Sequence, residues 1–267
     1  MEGSRVGMKK IEEILDGIKG LIAFMTRIPV GEFYSDLEEI SKYLLFILFI
    51  GMFIGFCGSL VALPFYYLGI DAPLLVGTLV LFTMLYIQGF HHVDGLGDYG
   101  DAWMVMGDAR RKLEVMRDKY IGIGALVFVF FVEMISLASI GYLYSKLSFL
   151  TFSKLMVLTE ASSRLGLLTC ACCGIPSKEG TGRYFVKNTD EYHLSLGYLL
   201  MMILSFLLDI PRIGVLCSTV AVFFAMALAK KSNSEINCVT GDVLGATNEM
   251  TRAVVLLTAS LGVNLYL

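Results

Sequence analysis

The sequence predicts an all-α fold, a polytopic helical bundle embedded in a membrane, and three observations predict it. Hydrophobic residues make up 56% of the 267 positions and charged residues only 17%, whereas ordinary soluble domains carry roughly a quarter charged. Apolar windows close to the ~20 residues that cross a bilayer recur along the chain, with no long polar insertion between them. Ahead of the first window, "KKIEEILDGIKGLIAFMTRIP" spaces its apolar residues helically and puts charges on the opposite face. These features predict one membrane-embedded domain over 1–267 with about seven transmembrane helices and an N-terminal amphipathic segment over 1–42.

In chain order, Ile11, Ile14, Leu15, Ile18, Leu21 and Ile22 define the apolar face of a helix that lies on the membrane surface and stops at Pro29. No uninterrupted apolar core follows Lys9 and Lys10 and no small-residue cleavage site is evident, so a signal peptide is not expected. Spans are expected near 43–69, 73–90, 121–144, 151–173, 194–210, 213–229 and 251–267. "GMFIG", Gly51 to Gly55, places small residues one turn apart and predicts close packing of the first span on a neighbour.

If the spans alternate, the N-terminus to Lys42, residues 91–120, 174–193 and 230–250 share one side. That side holds Lys9, Lys10, Lys19, Arg27, Lys42, Arg110, Arg111, Lys112, Arg117, Lys119, Lys178, Arg183, Lys187, Lys230 and Lys231; the other has little beyond Lys146 and Arg212. The positive-inside rule then makes the large loops cytoplasmic in a multi-pass cell-membrane protein, with 91–120 as the main functional loop. A net charge of −3 and the lack of any basic binding module argue against nucleic acid as a partner. The six cysteines lack the spacing of a disulfide scaffold or zinc site, and are expected to be free thiols.

The chemistry-bearing residues fall in those loops. In "HHVDGLGDYGDAW", Asp94, Asp98 and Asp101 stand at i, i+4 and i+7, within a narrow arc of one helical face. Three unpaired carboxylates repel, and an all-oxygen set suits a hard cation such as Mg²⁺ sharing its shell with a substrate phosphate; a solvated acidic loop is the alternative. Gly95, Gly97 and Gly100 weaken an isolated helix but let a substrate or second helix approach its backbone. "DARRKLEVMRDKYIGIG" follows, with Arg110, Arg111, Lys112, Arg117 and Lys119 placed to neutralise phosphate, or placed there by topology alone. In "CVTGDVLGATNEMTRA", Asp242 and Glu249 are seven residues apart on one helical face, with Asn248 and Arg252 beside them. Thr240 or Gly241 can cap that helix, and Asp242 fits either a functional or a first-turn role.

These motifs, with "FMTRIPV" near the N-terminus, together resemble the cobalamin synthase family over nearly the whole chain and in the right order. The resemblance implies a membrane enzyme that joins adenosylcobinamide-GDP to α-ribazole or its 5′-phosphate, with Mg²⁺, releasing GMP. By position it implies a motif of His92, Asp94, Gly95, Asp98 and Asp101, a second of Arg117, Asp118 and Gly122, and a third of Thr240, Gly241, Asp242 and Gly245. Departures are Phe90 where the family often has glycine, Ala102 after the third aspartate, and no arginine near Tyr120.

Under that reading His92, Asp94, Asp98 and Asp101 are the catalytic candidates, and the three aspartates hold the metal. Arg27, Arg110, Arg111, Arg117, Asp118, Lys119, Asp242, Asn248 and Glu249 are expected to bind substrate. His92 is either the base for the attacking hydroxyl or an orienting partner. The partners are the two small-molecule substrates and the lipid bilayer; a homo-oligomer is compatible with the sequence. Another Mg²⁺-dependent membrane phosphotransferase or prenyltransferase would use similar acids, but the alcohol-phosphotransferase pattern D-G-x-x-A-R fails because Asp98 and Tyr99 occupy its last two places. A transporter would put charges at the midplane, where only Glu133, Glu160 and Arg164 are expected, with Glu160 and Arg164 paired at i+4.

Overall fold

The structure is a computed structural model; it describes the backbone of residues 2–266 and the side chains of residues 10–263. Leu267, the last residue of the expected seventh span, and the side chain of Lys9 lie outside the described residues.

The described chain is built of twelve α-helices, a 3-10 turn (Leu44–Phe46) and an isolated bridge between Pro176 and Val239: α1 (Glu2–Met25), α2 (Leu37–Ser41), α3 (Ile47–Leu68), α4 (Pro73–Gln88), α5 (His91–Met104), α6 (Ala109–Met116), α7 (Ile123–Lys146), α8 (Phe149–Cys173), α9 (Gly182–Lys187), α10 (Glu191–Leu207), α11 (Pro211–Glu235) and α12 (Gly241–Tyr266). Local chemistry sets many of their ends. Asp36, Asp108 and Ser148 accept hydrogen bonds from backbone N–H groups at the starts of α2, α6 and α8, and Asp190 and His193 form a reciprocal cap on α10. Pro73 and Pro211 open α4 and α11, where a missing N–H costs nothing.

Four helical stretches are long and apolar enough to cross a membrane: Leu44–Leu68, Ile123–Lys146, Phe149–Cys173 and Pro211–Glu235, or five if α4 and α5 are counted as one bent span. Four of the seven expected spans are thus matched by a helix of crossing length. The expected span at 73–90 ends at Gln88; sixteen residues reach about 24 Å at 1.5 Å per residue, short of the ~30 Å hydrocarbon core. α10 is also short, at 17 residues, and the first half of α12 is too polar to count. The expected loop 91–120 is instead two helices, α5 and α6.

α8 is the axis of the bundle and packs against α3, α10, α11 and α12. The small residues of α3 permit this. A Cβ on Gly51 would come within 2.9 Å of the Glu160 carbonyl oxygen, and one on Gly55 within 2.7 Å of the Met156 carbonyl carbon, so the close packing expected of "GMFIG" is present. The outer helices turn large apolar side chains outward, with Phe130, Phe131, Leu207 and Phe223 all more than half exposed, as lipid-facing surfaces do. In α1, Leu21 and Met25 are buried against the bundle while Ile11 and Leu15 are exposed.

The polar segments gather at one end. The Val239 N–H donates to the Ile175 carbonyl at 2.7 Å, the Asn233 amide donates to the Cys173 carbonyl at 3.0 Å, and the Asn188 amide donates to Ser41 at 2.7 Å. The segments assigned to one side by span counting are therefore neighbours. All six cysteines are free.

Candidate active site

The acidic motif is aimed by a sharp bend. Gly89 (φ 99°) and Phe90 (φ 66°) are consecutive left-handed residues, and between them α5 turns 96° away from α4. Glycine takes this conformation freely; Phe90 bears strain, which the surroundings must hold. α5 runs across the end of the bundle and packs on the first turns of α7 and α12. A Cβ on Gly95 would stand 2.9 Å from the backbone of Asp242, and one on Gly245 would stand 3.1 Å from the Cα of His92. The glycines of the motif therefore admit a second helix. Gly95→Ala forces α5 off α12, and is expected to destabilise the protein by about 1–3 kcal/mol, seen as a lower Tm in detergent.

The three aspartates do share a face of α5, but they differ in role. Asp94 is exposed and lines a cavity of about 380 Å³ together with His91, His92, Thr181 and Asp242. Burial, and then the nearby Asp242, Asp94 and Asp101, push the Asp98 carboxyl up to about 7. Asp101 caps α7, with Oδ2 accepting from the Gly122 N–H at 2.7 Å and Oδ1 from the Ala125 N–H at 2.9 Å. Among the described residues no three His, Cys, Asp or Glu side chains are grouped to hold a metal ion, so the expected set of Asp94, Asp98 and Asp101 is not ready-made. Both oxygens of Asp101 are engaged by backbone donors. The acids that remain, Asp94, Asp98 and Asp242, are all-oxygen and mutually repulsive, which fits a hard cation that completes its shell with water and a ligand. Asp101→Ala is expected to remove the cap and cost roughly 1–2 kcal/mol of stability, while Asp101→Asn, which keeps one acceptor, loses less in the same thermal melt.

His92 is 5% exposed. Burial, followed by His91, Arg164 and Arg252, holds its imidazole well below the ordinary range and therefore neutral. Its Nδ1 has no hydrogen-bond partner among the described residues and lies 3.8 Å from Glu249 Oε1. His91, which sequence reasoning passed over, is the exposed histidine of the pair. Thr240 caps α12, its hydroxyl accepting from the Val243 N–H at 3.3 Å, and Asp242 follows in the first turn facing the cavity. The far wall is Phe24 of α1 stacked on Phe185 of α9 at 5.4 Å.

The basic residues separate into two groups. Arg110 and Arg117 line a second cavity of about 660 Å³; Arg110 pairs with Glu114 at 3.1 Å and Arg117 with Glu179 at 3.2 Å. Arg111, Asp118 and Lys119 are exposed and line neither cavity. Arg27 lines neither as well. Its guanidinium lies 4.7 Å over the Tyr86 ring, and its N–H donates to the Ile87 carbonyl at 2.8 Å, which fastens the N-terminal segment to the α4–α5 bend.

Asn248 and Glu249, expected to contact substrate, are fully buried. They belong to a network of α4, α8 and α12 that sequence reasoning found only in part. The Glu160–Arg164 pair expected at i+4 is present at 3.1 Å. Arg252 also donates to both Glu160 oxygens at 2.7 and 2.8 Å, to Gln88 at 2.7 Å and to Glu249. Arg164 donates to Gln88 at 2.6 Å and to Asn248, and the Gln88 amide donates to Glu249 at 2.6 Å. More charge thus lies at depth than expected. Because Gln88 directly precedes Gly89, the network ties the bend, and so α5, to the bundle axis.

Comparison with known proteins agrees with the motifs. A family model described as cobalamin-5-phosphate synthase matches residues 17–260. An adenosylcobinamide-GDP ribazoletransferase of Thermococcus kodakarensis is 30% identical over 245 residues, covering 91% of this chain and 98% of that protein. One of Pyrococcus furiosus is 31% identical over 247 residues, covering 90% and 97%, and one of Methanococcoides burtonii is 24% identical over 253 residues, covering 92% of each. No solved structure matches. The match takes in the bend, the acidic face of α5 and the start of α12 in one alignment, and on that ground the chain belongs to the cobalamin-5-phosphate synthase family.

Proposed function

We propose that the cleft between α5 and the first turn of α12 is the reaction centre of this enzyme. As a member of its family the chain is an adenosylcobinamide-GDP ribazoletransferase, a transferase of cobalamin biosynthesis. One observation carries the assignment of the centre: Asp94 of α5 and Asp242 of α12, far apart in sequence, open onto the same cavity beside His91.

In this reading Asp94, Asp98 and Asp242 would hold Mg²⁺, which when bound neutralises charge on a diphosphate and on its departing phosphate. Asp101 keeps α5 in register with α7. A ribose hydroxyl of α-ribazole, or of its 5′-phosphate, attacks the phosphorus that carries cobinamide. The bond from that phosphorus to the bridging oxygen breaks, GMP departs with the bridging oxygen, and the hydroxyl proton passes to a base in the cleft. His91, exposed in the cavity, suits that base better than His92, which is buried and neutral and orients the floor of the cleft. Asn248 and Glu249 act from beneath as positioning residues.

We take seven crossings, by α3, the short α4, α7, α8, the short α10, α11 and the apolar half of α12, a count that returns the polar segments to the face where the basic residues lie and puts the site on the cytoplasmic side. Removing divalent cations with EDTA is expected to stop GMP release and added Mg²⁺ to restore it; undiminished release in EDTA would exclude the metal.

A further inference from the structure

We propose that the second cavity, between α6 and the segments 175–179 and 236–240, is the subsite for the departing nucleoside monophosphate. It is separate from the acidic cleft that takes the attacking alcohol. The inference rests on the reading of the α5–α12 cleft as the reaction centre.

The second cavity is large enough and solidly built. Its volume of about 660 Å³ falls well inside the roughly 300–1,000 Å³ of small-ligand sites, and the acidic cleft, at about 380 Å³, is near the lower end. Its walls are fixed to each other: the Val239 N–H donates to the Ile175 carbonyl at 2.7 Å, the Ile175 N–H donates to Asn233 at 2.9 Å, and Lys112 of α6 pairs with Glu235 at the end of α11.

Its charge is opposite to that of the cleft. Arg110, Arg117 and Lys178 face two carboxylates, Glu114 and Glu179. Lys178 has no carboxylate partner among the described residues, whereas the two arginines have one each. Incoming phosphate oxygens can take Lys178 outright and exchange with Glu179 for Arg117. Apolar Leu113, Ile175, Pro176 and Ile236 supply a surface for a flat ring. Among the described residues no Lys or Arg side chain lines the acidic cleft, which repels a phosphate that lacks a bound cation. Its stacked Phe24–Phe185 wall suits an aromatic base carried by the alcohol.

The two cavities meet along consecutive residues. Thr240 lines the cationic one, and Gly241 and Asp242 line the acidic one. A diphosphate laid over this crest has its nucleotide half beside Arg117 and Lys178 and its other phosphorus beside Asp242 and Asp94. Cleavage of the bridging bond then leaves the nucleotide in its own cavity, already parted from the new ester.

The test is equilibrium binding of GMP and of guanosine to the purified full chain in detergent, without Mg²⁺. The double variant Arg117→Ala/Lys178→Ala is expected to weaken GMP at least about tenfold, as the loss of charge-assisted contacts implies, and to leave guanosine within about twofold. Asp94→Asn is expected to leave GMP binding as it was or tighten it. Because a variant can fail through misfolding, Ser177→Cys supplies a second readout: GMP should protect that thiol from maleimide, and guanosine should protect it less. Unchanged GMP affinity in the double variant, or no protection at Ser177→Cys, overturns the subsite. Failure of the unaltered protein to release GMP in a ribazole-dependent way would instead sink the reaction centre, and it is scored separately.

Discussion

Asp98→Asn is expected to abolish turnover and to leave the protein folded in the membrane. The aspartate is half-buried on α5 with its carboxyl pushed up to about 7, by burial and then by Asp242, Asp94 and Asp101. A carboxyl raised this far is partly protonated near neutral pH, and a cation joining the cluster would favour its ionised form, which is what the proposed metal role requires. Asparagine keeps the shape and one acceptor, and it relieves the repulsion, so the fold should survive or gain. A lost metal ligand removes several kcal/mol of charge stabilisation in the transition state, which is at least about a hundredfold in rate. The measurement is GMP release per folded protein, with folding judged by size-exclusion profile and Tm. Activity within about tenfold of the unaltered protein, a span of only about 1.4 kcal/mol, would remove Asp98 from the metal site.

The second large effect lies beneath the site. Arg252 is fully buried and bonded to Glu160, Glu249 and Gln88. Arg252→Met takes one of two buried cations from a network with two carboxylates, leaving Arg164 alone on Glu160 and only the Gln88 and Asn248 amides on Glu249, a loss of about 3–5 kcal/mol when one partner of a buried pair is removed. The expected result is little folded protein, with aggregation on extraction. Glu160→Gln, which keeps an acceptor for Arg252, should be milder, and Arg164→Lys should keep the charge but lose contact with either Gln88 or Asn248. A monodisperse Arg252→Met protein with unaltered Tm would show that the network does not hold the bend.

Much of this molecule could be read from its sequence where the signal was periodic. Asp94, Asp98 and Asp101 at i, i+4 and i+7 needed only a helix to share a face, and α5 is one. Glu160 and Arg164 needed only one turn of α8, and the spacing of "GMFIG" sufficed to bring α3 close to α8. What could not be read depended on groups distant in the chain or on backbone shape. That Asp101 also caps α7 was not legible, because its partners, the Gly122 and Ala125 N–H groups, lie at the start of another helix 21 and 24 residues away. Asn248 and Glu249 looked accessible beside Asp242, yet a further turn carries them inside, to Arg164 and to a Gln88 that lies 161 residues from Glu249. The span expected over 73–90 was too long because Phe90 gives no sign in its side chain that it will adopt φ 66°. His91 was missed beside His92 because nothing local decides which of two adjacent histidines faces inward.

On the proposed reading, the cleft between α5 and α12 joins a ribazole to adenosylcobinamide-GDP. The most direct measurement follows GMP released by the purified protein given adenosylcobinamide-GDP and Mg²⁺, with and without α-ribazole or its 5′-phosphate. Release is expected only when a ribazole is present, matched mole for mole by the joined corrinoid and lost in Asp98→Asn. GMP released at the same rate without any ribazole, or none released with it, would rule out that reaction at this cleft.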